Sequence, residues 1–209
     1  MNSKGYFITG TDTGVGKTVV SAIVAKKIKA SYYKPIQCGL NEEGLKDSDV
    51  VKSFFGDINI IKETYLFAKP LSPNIASKLE GIEIDVSKFS KIENLTEPLV
   101  IEGAGGLQVP INKDLLVSDL IGMFDLPTIL VCRTQLGTIN HTLMSIEIIK
   151  KKEINFKGLI FTGNQNSDSI NTILNFGEKI YGSKIKLLGR IPFIKPLNGD
   201  NLKKLNIKV

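Results

Sequence analysis

Tryptophan is missing from this chain and histidine occurs once, at His141, so a multi-histidine metal centre cannot be assembled. Cysteine is nearly as scarce. Cys38 and Cys132 are too few for a disulfide framework, and a reducing compartment is expected. No apolar run approaches the roughly 18 residues of a membrane span. The N-terminus has no signal-peptide apolar core, so the cytoplasm is the expected location. Arginine is limited to Arg133 and Arg190, which leaves the net charge of +6 to lysine. The lysines scatter along the chain, and Lys150-Lys151-Lys152, the one tight cluster, closes a predicted helix where cations complement the dipole. Solvated lysines that help gather anionic substrates are therefore expected, with neither nucleic acid nor membrane as partner.

What the chain does have is concentrated near its start. Gly10-Thr11-Asp12-Thr13-Gly14-Val15-Gly16-Lys17-Thr18 follows the apolar stretch Tyr6-Phe7-Ile8. Glycines at this spacing let successive amide N–H groups point at one anion. Lys17 adds a mobile charge for outer phosphates, and the Thr18 hydroxyl is a hard ligand suited to Mg²⁺. The run from Thr18 through Val19 to Ala25 reads as a helix whose positive end faces the same point. The segment is a nucleotide-phosphate cradle. Thr11 stands where the strict pattern has glycine, and Asp12 stands where partition ATPases carry a second lysine.

Short β-rich runs alternate with helical segments, the mark of an α/β fold: a doubly wound, mainly parallel sheet with helices on both faces. Residues 1–209 are expected to form a single P-loop NTPase-like domain. Strands are predicted at Tyr6–Thr9, Ser31–Lys34, Leu99–Glu102, Thr128–Cys132, Gly158–Thr162 and Lys186–Leu188. Helices are predicted at Lys17–Ala30, Asp47–Phe55, Pro73–Leu79, Val86–Ile92, Val117–Met123, Thr138–Lys151 and Ser169–Ile180.

In such sheets ligands sit beyond the carboxyl ends of the strands. Lys34 follows the second strand, aimed at the phosphate site. Glu102 ends the third and is followed by Gly103-Ala104-Gly105-Gly106, where backbone can approach phosphate closely. Asp49 lies at the start of a short helix that Asp47 or Ser48 would cap, which leaves its carboxylate free for Mg²⁺. Gly137-Thr138-Ile139-Asn140 opens a long helix whose free N–H groups suit a carboxylate. His141 within it is expected to pack or cap. Asn164 and the Arg190–Ile194 segment sit where a base could be held.

Together GTDTGVGKT, YKPIQCG, DSDV, EGAGG and LGTINH occur in the order found in dethiobiotin synthetase, and the sequence resembles that family over almost its whole length. The resemblance implies an ATP-dependent cyclo-ligase of biotin synthesis. It would join 7,8-diaminopelargonic acid and CO₂ (or bicarbonate) through a carbamate and a carbamic–phosphoric anhydride, releasing ADP and phosphate. Carried over by motif, Lys17 and Lys34 would stabilise the reacting charges, and Thr13 would approach the substrate amine. Gly14 to Val19 would wrap the phosphates, with Glu102, Gly103, Ala104 and Gly105 beside the nucleotide. Thr18, Asp49 and Glu102 would hold Mg²⁺. Asn164 with Gln165, and Pro192, Phe193 and Ile194, would contact adenine. Gly137, Thr138, Ile139 and Asn140 would receive the substrate's tail carboxylate across a homodimer interface. Cys38 stands at a substrate-side position where the family usually has serine or threonine. The alternative reading is a ParA/MinD-like ATP-driven dimerisation switch, against which Asp12 in place of the signature lysine argues.

Overall fold

The structure, a computed structural model, describes residues 5–92 and 98–209. Its first strand, β1 (Gly5–Gly10), is buried along its whole length, as a strand covered on both faces must be. It leads through the glycine loop into α1 (Lys17–Ile28). That helix ends two residues short of the predicted Ala30, because Lys29 turns into the left-handed region at φ 53°. There follow β2 (Ser31–Tyr33), β3 (Ile36–Cys38), α2 (Asp47–Phe54), β4 (Ile60–Ile61), β5 (Tyr65–Phe67) and α3 (Pro73–Leu79). A 3-10 helix occupies Val86–Ile92, where the pattern had suggested an ordinary helix.

The second half runs β6 (Leu99–Gly106), α4 (Val117–Phe124), β7 (Thr128–Arg133), α5 (Thr138–Lys151), β8 (Phe156–Thr162), α6 (Ser167–Tyr181), β9 (Leu187–Ile191) and α7 (Gly199–Lys203). Seven strands form one sheet in the order β4-β2-β6-β1-β7-β8-β9, with every pairing parallel. β3 and β5 form a separate parallel pair. The main strands match the sequence reading to within a few residues. β3, β4 and β5 were not foreseen: two or three residues carry too little alternation to register.

Helices cover both faces of the sheet. On one side Val20, Val24, Val51 and Leu202, from α1, α2 and α7, pack on Ile8, Val100 and Ile160. On the other, Ala76, Leu120, Ile146 and Ile173, from α3 to α6, pack on Phe7, Ile101, Leu130 and Phe161. No helix among the described residues is long and apolar enough to cross a membrane.

Candidate active site

The strand order places the chemistry. β6 lies between β2 and β1, with Tyr33 opposite Ile101 and Ile8 opposite Glu102. One residue beyond the Tyr33 pair, Lys34 comes up beside Glu102, and the loop after β1 comes up on the other side. On the far flank β7 and β8 end at Arg133 and Thr162, which pair in register. Lys34, Glu102, the glycine loop, Arg133 and Thr162 thus stand in a row along the carboxyl edge of the sheet, at the point where connections leave in opposite directions.

Within the loop Gly14 and Gly16 take positive φ, at 71° and 91°. Gly16, at φ 91°, caps α1, and a Cβ there would come within 3.0 Å of the Thr162 methyl. Thr162 Oγ1 donates to the Val15 carbonyl at 2.7 Å, tying the loop to β8. On the other side, a Cβ on Gly106 would lie 3.3 Å from the Gly10 and Thr11 carbonyls, so the Glu102–Gly106 segment passes close to the loop only because it is glycine-rich. Lys17 is buried and donates to the Asp12 carbonyl at 2.8 Å. Burial, with the neighbouring charge of Lys34, lowers its pKa to about 8.

Glu102 is the hub. Its side chain is 1% exposed and accepts from Thr18 Oγ1 at 3.0 Å, Lys34 Nζ at 3.0 Å and Tyr32 OH at 2.9 Å. Lys34 also pairs with Asp47, so one ammonium is shared by two carboxylates. Burial alone would lower the Lys34 pKa. The charges and hydrogen bonds of Glu102 and Asp47 outweigh it and raise the value, so Lys34 is a fixed cation. Burial alone would raise Asp47, and Lys34 holds it instead below the ordinary carboxylate range. Burial, with the charge of Glu102, lifts the Tyr32 hydroxyl well above its usual value.

The other expected residues separate into groups. Asp49 has a local structural role that the sequence reading did not give it. Lys46, and neither Asp47 nor Ser48, is the N-cap of α2, and Asp49 reaches back to accept the Lys46 N–H at 3.1 Å. Its carboxylate is 45% exposed and keeps its second oxygen 3.9 Å from Lys46 Nζ. Cys38 ends β3, half-buried, with burial raising its thiol to about 11 despite the charge of Lys34. Cys132 is fully buried in β7, and burial raises its thiol to about 12.

Asn164 and Gln165 lie in the turn after β8, and Pro192 to Ile194 follow β9. The two segments are neighbours, because Gly163 N–H donates to the Ile191 carbonyl at 2.8 Å and Arg190 Nη1 donates to the Gly163 carbonyl at 2.7 Å. Gly137, at φ 91°, caps α5, and Thr138 Oγ1 donates to the Arg133 carbonyl at 2.5 Å. Ile139 and Asn140 complete that first turn. His141, expected to pack or cap, is exposed on it.

Sequence reading missed Tyr32, Asp47 and the Asp12–Arg133 pair. Tyr32 stood two residues before Lys34, the spacing that puts side chains on one side of a strand, and that was the available signal. Asp47 stood out only as a candidate helix cap, and Arg133 carried no signal, since their partners are distant along the chain.

No cluster of three or more metal-ligating side chains of His, Cys, Asp or Glu occurs among the described residues. The oxygens of Thr18, Glu102 and Asp49 are nonetheless the hard donors that Mg²⁺ takes, and Glu102 already gathers a cation.

The family described as an AAA domain matches residues 4–201. The ATP-dependent dethiobiotin synthetase BioD of Bradyrhizobium diazoefficiens is 39% identical over 202 residues, covering 96% of this chain and 92% of that protein. The Brucella ovis protein of the same name is 41% identical over 204 residues, covering 97% and 92%. Among solved structures, a ParA family ATPase from Chlorobium tepidum superposes with TM-score 0.53 at 16% identity, over 98% of this chain and 92% of that one. The cell division protein FtsY of Thermotoga maritima gives 0.54 at 16%, over 98% and 64%. Those likenesses show the fold alone. Identity near 40% along almost the full length shows more: the chain belongs to the dethiobiotin synthetase family, and is a ligase.

Proposed function

We propose that this protein closes the ureido ring of dethiobiotin from 7,8-diaminopelargonic acid, CO₂ and ATP. The observation that carries the reading is the convergence of Thr18 from the glycine loop and Lys34 from β2 on Glu102. It builds, beside a phosphate cradle, a site where charge on a transferring phosphoryl group is met by the fixed cation of Lys34.

In this reading one amine of the diamine attacks CO₂, loses a proton and becomes a carbamate. A carbamate oxygen then attacks the γ-phosphorus of ATP. The bond to the bridging oxygen breaks, ADP leaves, and a carbamic–phosphoric anhydride remains. The second amine attacks the anhydride carbon, phosphate departs and the ring closes with loss of a proton. The protein's part is positioning and charge stabilisation. Lys34, held protonated by two carboxylates, meets the carbamate and phosphoryl oxygens. Lys17 swings from the Asp12 carbonyl to the outer phosphates. Thr13, exposed at the loop tip, faces the reacting amine.

Mg²⁺, when bound, neutralises charge on the phosphate oxygens. The residues that would hold it are Thr18 and Glu102, whose side chains already meet at 3.0 Å, with Asp49 from the first turn of α2. Gly14 to Val19 wrap the phosphates with Gly103 to Gly105 beside them. Asn164, Gln165 and Pro192 to Ile194 form the adenine side. Cys38, a neutral thiol, lies on the substrate side by packing. The first turn of α5, Gly137 to Asn140, receives the substrate's carboxylate from a second copy, so the working unit is a homodimer of one-domain subunits. Leu136 beside that turn and Met144 on the same helix are exposed, which suits an interface. A reducing, cytoplasmic setting fits two unpaired thiols.

The test is ADP release with the diamine and bicarbonate omitted in turn. Release that needs both is expected. Turnover indifferent to both overturns the reading and favours a nucleotide switch.

A further inference from the structure

Asp12 is the one acidic side chain of the phosphate loop, and three hydrogen bonds converge on it. Its backbone carbonyl takes Lys17 Nζ at 2.8 Å, its Oδ1 takes the Thr13 N–H at 2.7 Å, and its Oδ2 takes Arg133 Nη2 at 2.7 Å. Arg133 arrives there by the sheet. Gly10 pairs with Val131, the Thr11 N–H donates to the Val131 carbonyl at 3.0 Å, and two residues later Arg133 stands beside Asp12. Its backbone is held by Thr138 on one side and by register with Thr162 on the other.

The pair is a weak contributor to folding. Its side chains are 31% and 48% exposed, a range in which ion pairs add little. Its position matters more. A carboxylate inside a loop that must receive a polyanion works against binding unless a cation is held against it. Arginine suits that task, being permanently charged and planar.

We propose that Arg133 is a positioning residue for nucleotide binding. It cancels the charge of Asp12 and, through Asp12, fixes the Thr13 amide while Lys17 leaves for the phosphates. The proposal rests on the reading of this loop as an ATP site. Partition-type loops place a lysine where this chain has Asp12. Here the loop carries a carboxylate instead, and Arg133 of β7 offsets it.

The experiment is calorimetric titration of the full-length protein with ATP and with AMP, without turnover. Arg133→Gln should weaken ATP binding by about tenfold, as one unneutralised charge near a triphosphate implies. AMP, with fewer charges, should lose less. Adding Asp12→Asn to Arg133→Gln should recover most of the loss, and Arg133→Lys should fall between. Thermal melting of each variant should stay near wild type. Wild-type ATP affinity in Arg133→Gln overturns the proposal, as does a double variant no tighter than the single one, or equal losses for ATP and AMP. Failure of the unaltered protein to bind ATP overturns the loop reading itself, and the proposal with it.

Discussion

Lys34 Nζ lies 3.0 Å from Glu102 Oε1, although 68 residues separate the two in the chain. Both are almost fully buried, and Asp47 closes the other side of the ammonium. A buried cation between two carboxylates is costly to assemble and gives little net stability against an apolar replacement. Its presence at the carboxyl edge of the sheet, beside the phosphate loop, is therefore better explained by chemistry than by folding.

Lys34→Gln should lower turnover by a factor of about 100 to 1,000, the scale of losing one preorganised charge. The amide can still donate to one carboxylate, so the protein should stay folded with a reduced melting temperature. Steady-state kinetics beside a melting curve checks this. Near-normal turnover would refute the catalytic role.

Lys17 should make ATP binding pH-dependent. Its pKa of about 8 in the free protein, lowered by burial and then by Lys34, means that it loses its proton as pH rises through that value. An anion favours the protonated form, so binding should take up protons near and above pH 8, and affinity should decline as pH climbs further. Calorimetry in buffers of different ionisation enthalpy measures the uptake. Lys17→Arg, always charged, should abolish it.

Tyr32→Phe removes the hydroxyl that Glu102 accepts at 2.9 Å. Leaving a buried carboxylate oxygen unpaired costs about 1–3 kcal/mol. That should appear as a melting temperature lower by several degrees. Turnover should fall less than in Lys34→Gln, because the cation remains. An unchanged melting temperature would show that the hydroxyl does not support Glu102.

Asp47 and Asp49 should separate by experiment. Asp47→Asn should reduce turnover at saturating Mg²⁺ by freeing Lys34, whereas Asp49→Asn should raise the Mg²⁺ needed for half-maximal rate and weaken the start of α2 by about 1 kcal/mol. Acid titration adds a check. Lys34 keeps the Asp47 carboxyl below its ordinary value against the opposing effect of burial, so that contribution to stability is present above about pH 4. It is lost as pH falls through the lowered value. Asp47→Asn should remove this acid-sensitive part of the melting curve.

The glycine loop, its strand and its helix were legible because each depends on neighbours in the chain. Gly10 to Thr18 needs only local backbone freedom and one helix end. The strands β1, β6, β7 and β8 were legible because continuous apolar runs between turns mark a sheet buried on both faces. The order of those strands was not readable, and it decides which side chains meet. Asp49 shows the difference: its place on a helix start was plain, but its bond to the Lys46 N–H depended on where the helix began, and cap positions shift by a residue or two.

The amino-acid sequence by itself determined a phosphate-binding α/β protein with Lys34 and Glu102 at strand ends, since motif spacing and apolar periodicity are properties of short segments. Only the tertiary structure decided that β6 lies between β1 and β2, that Asp47 rather than Asp49 pairs with Lys34, and that Arg133 balances Asp12. Those are contacts between residues far apart in the chain. They are set by how strands pair and helices cover the sheet, which no local pattern records.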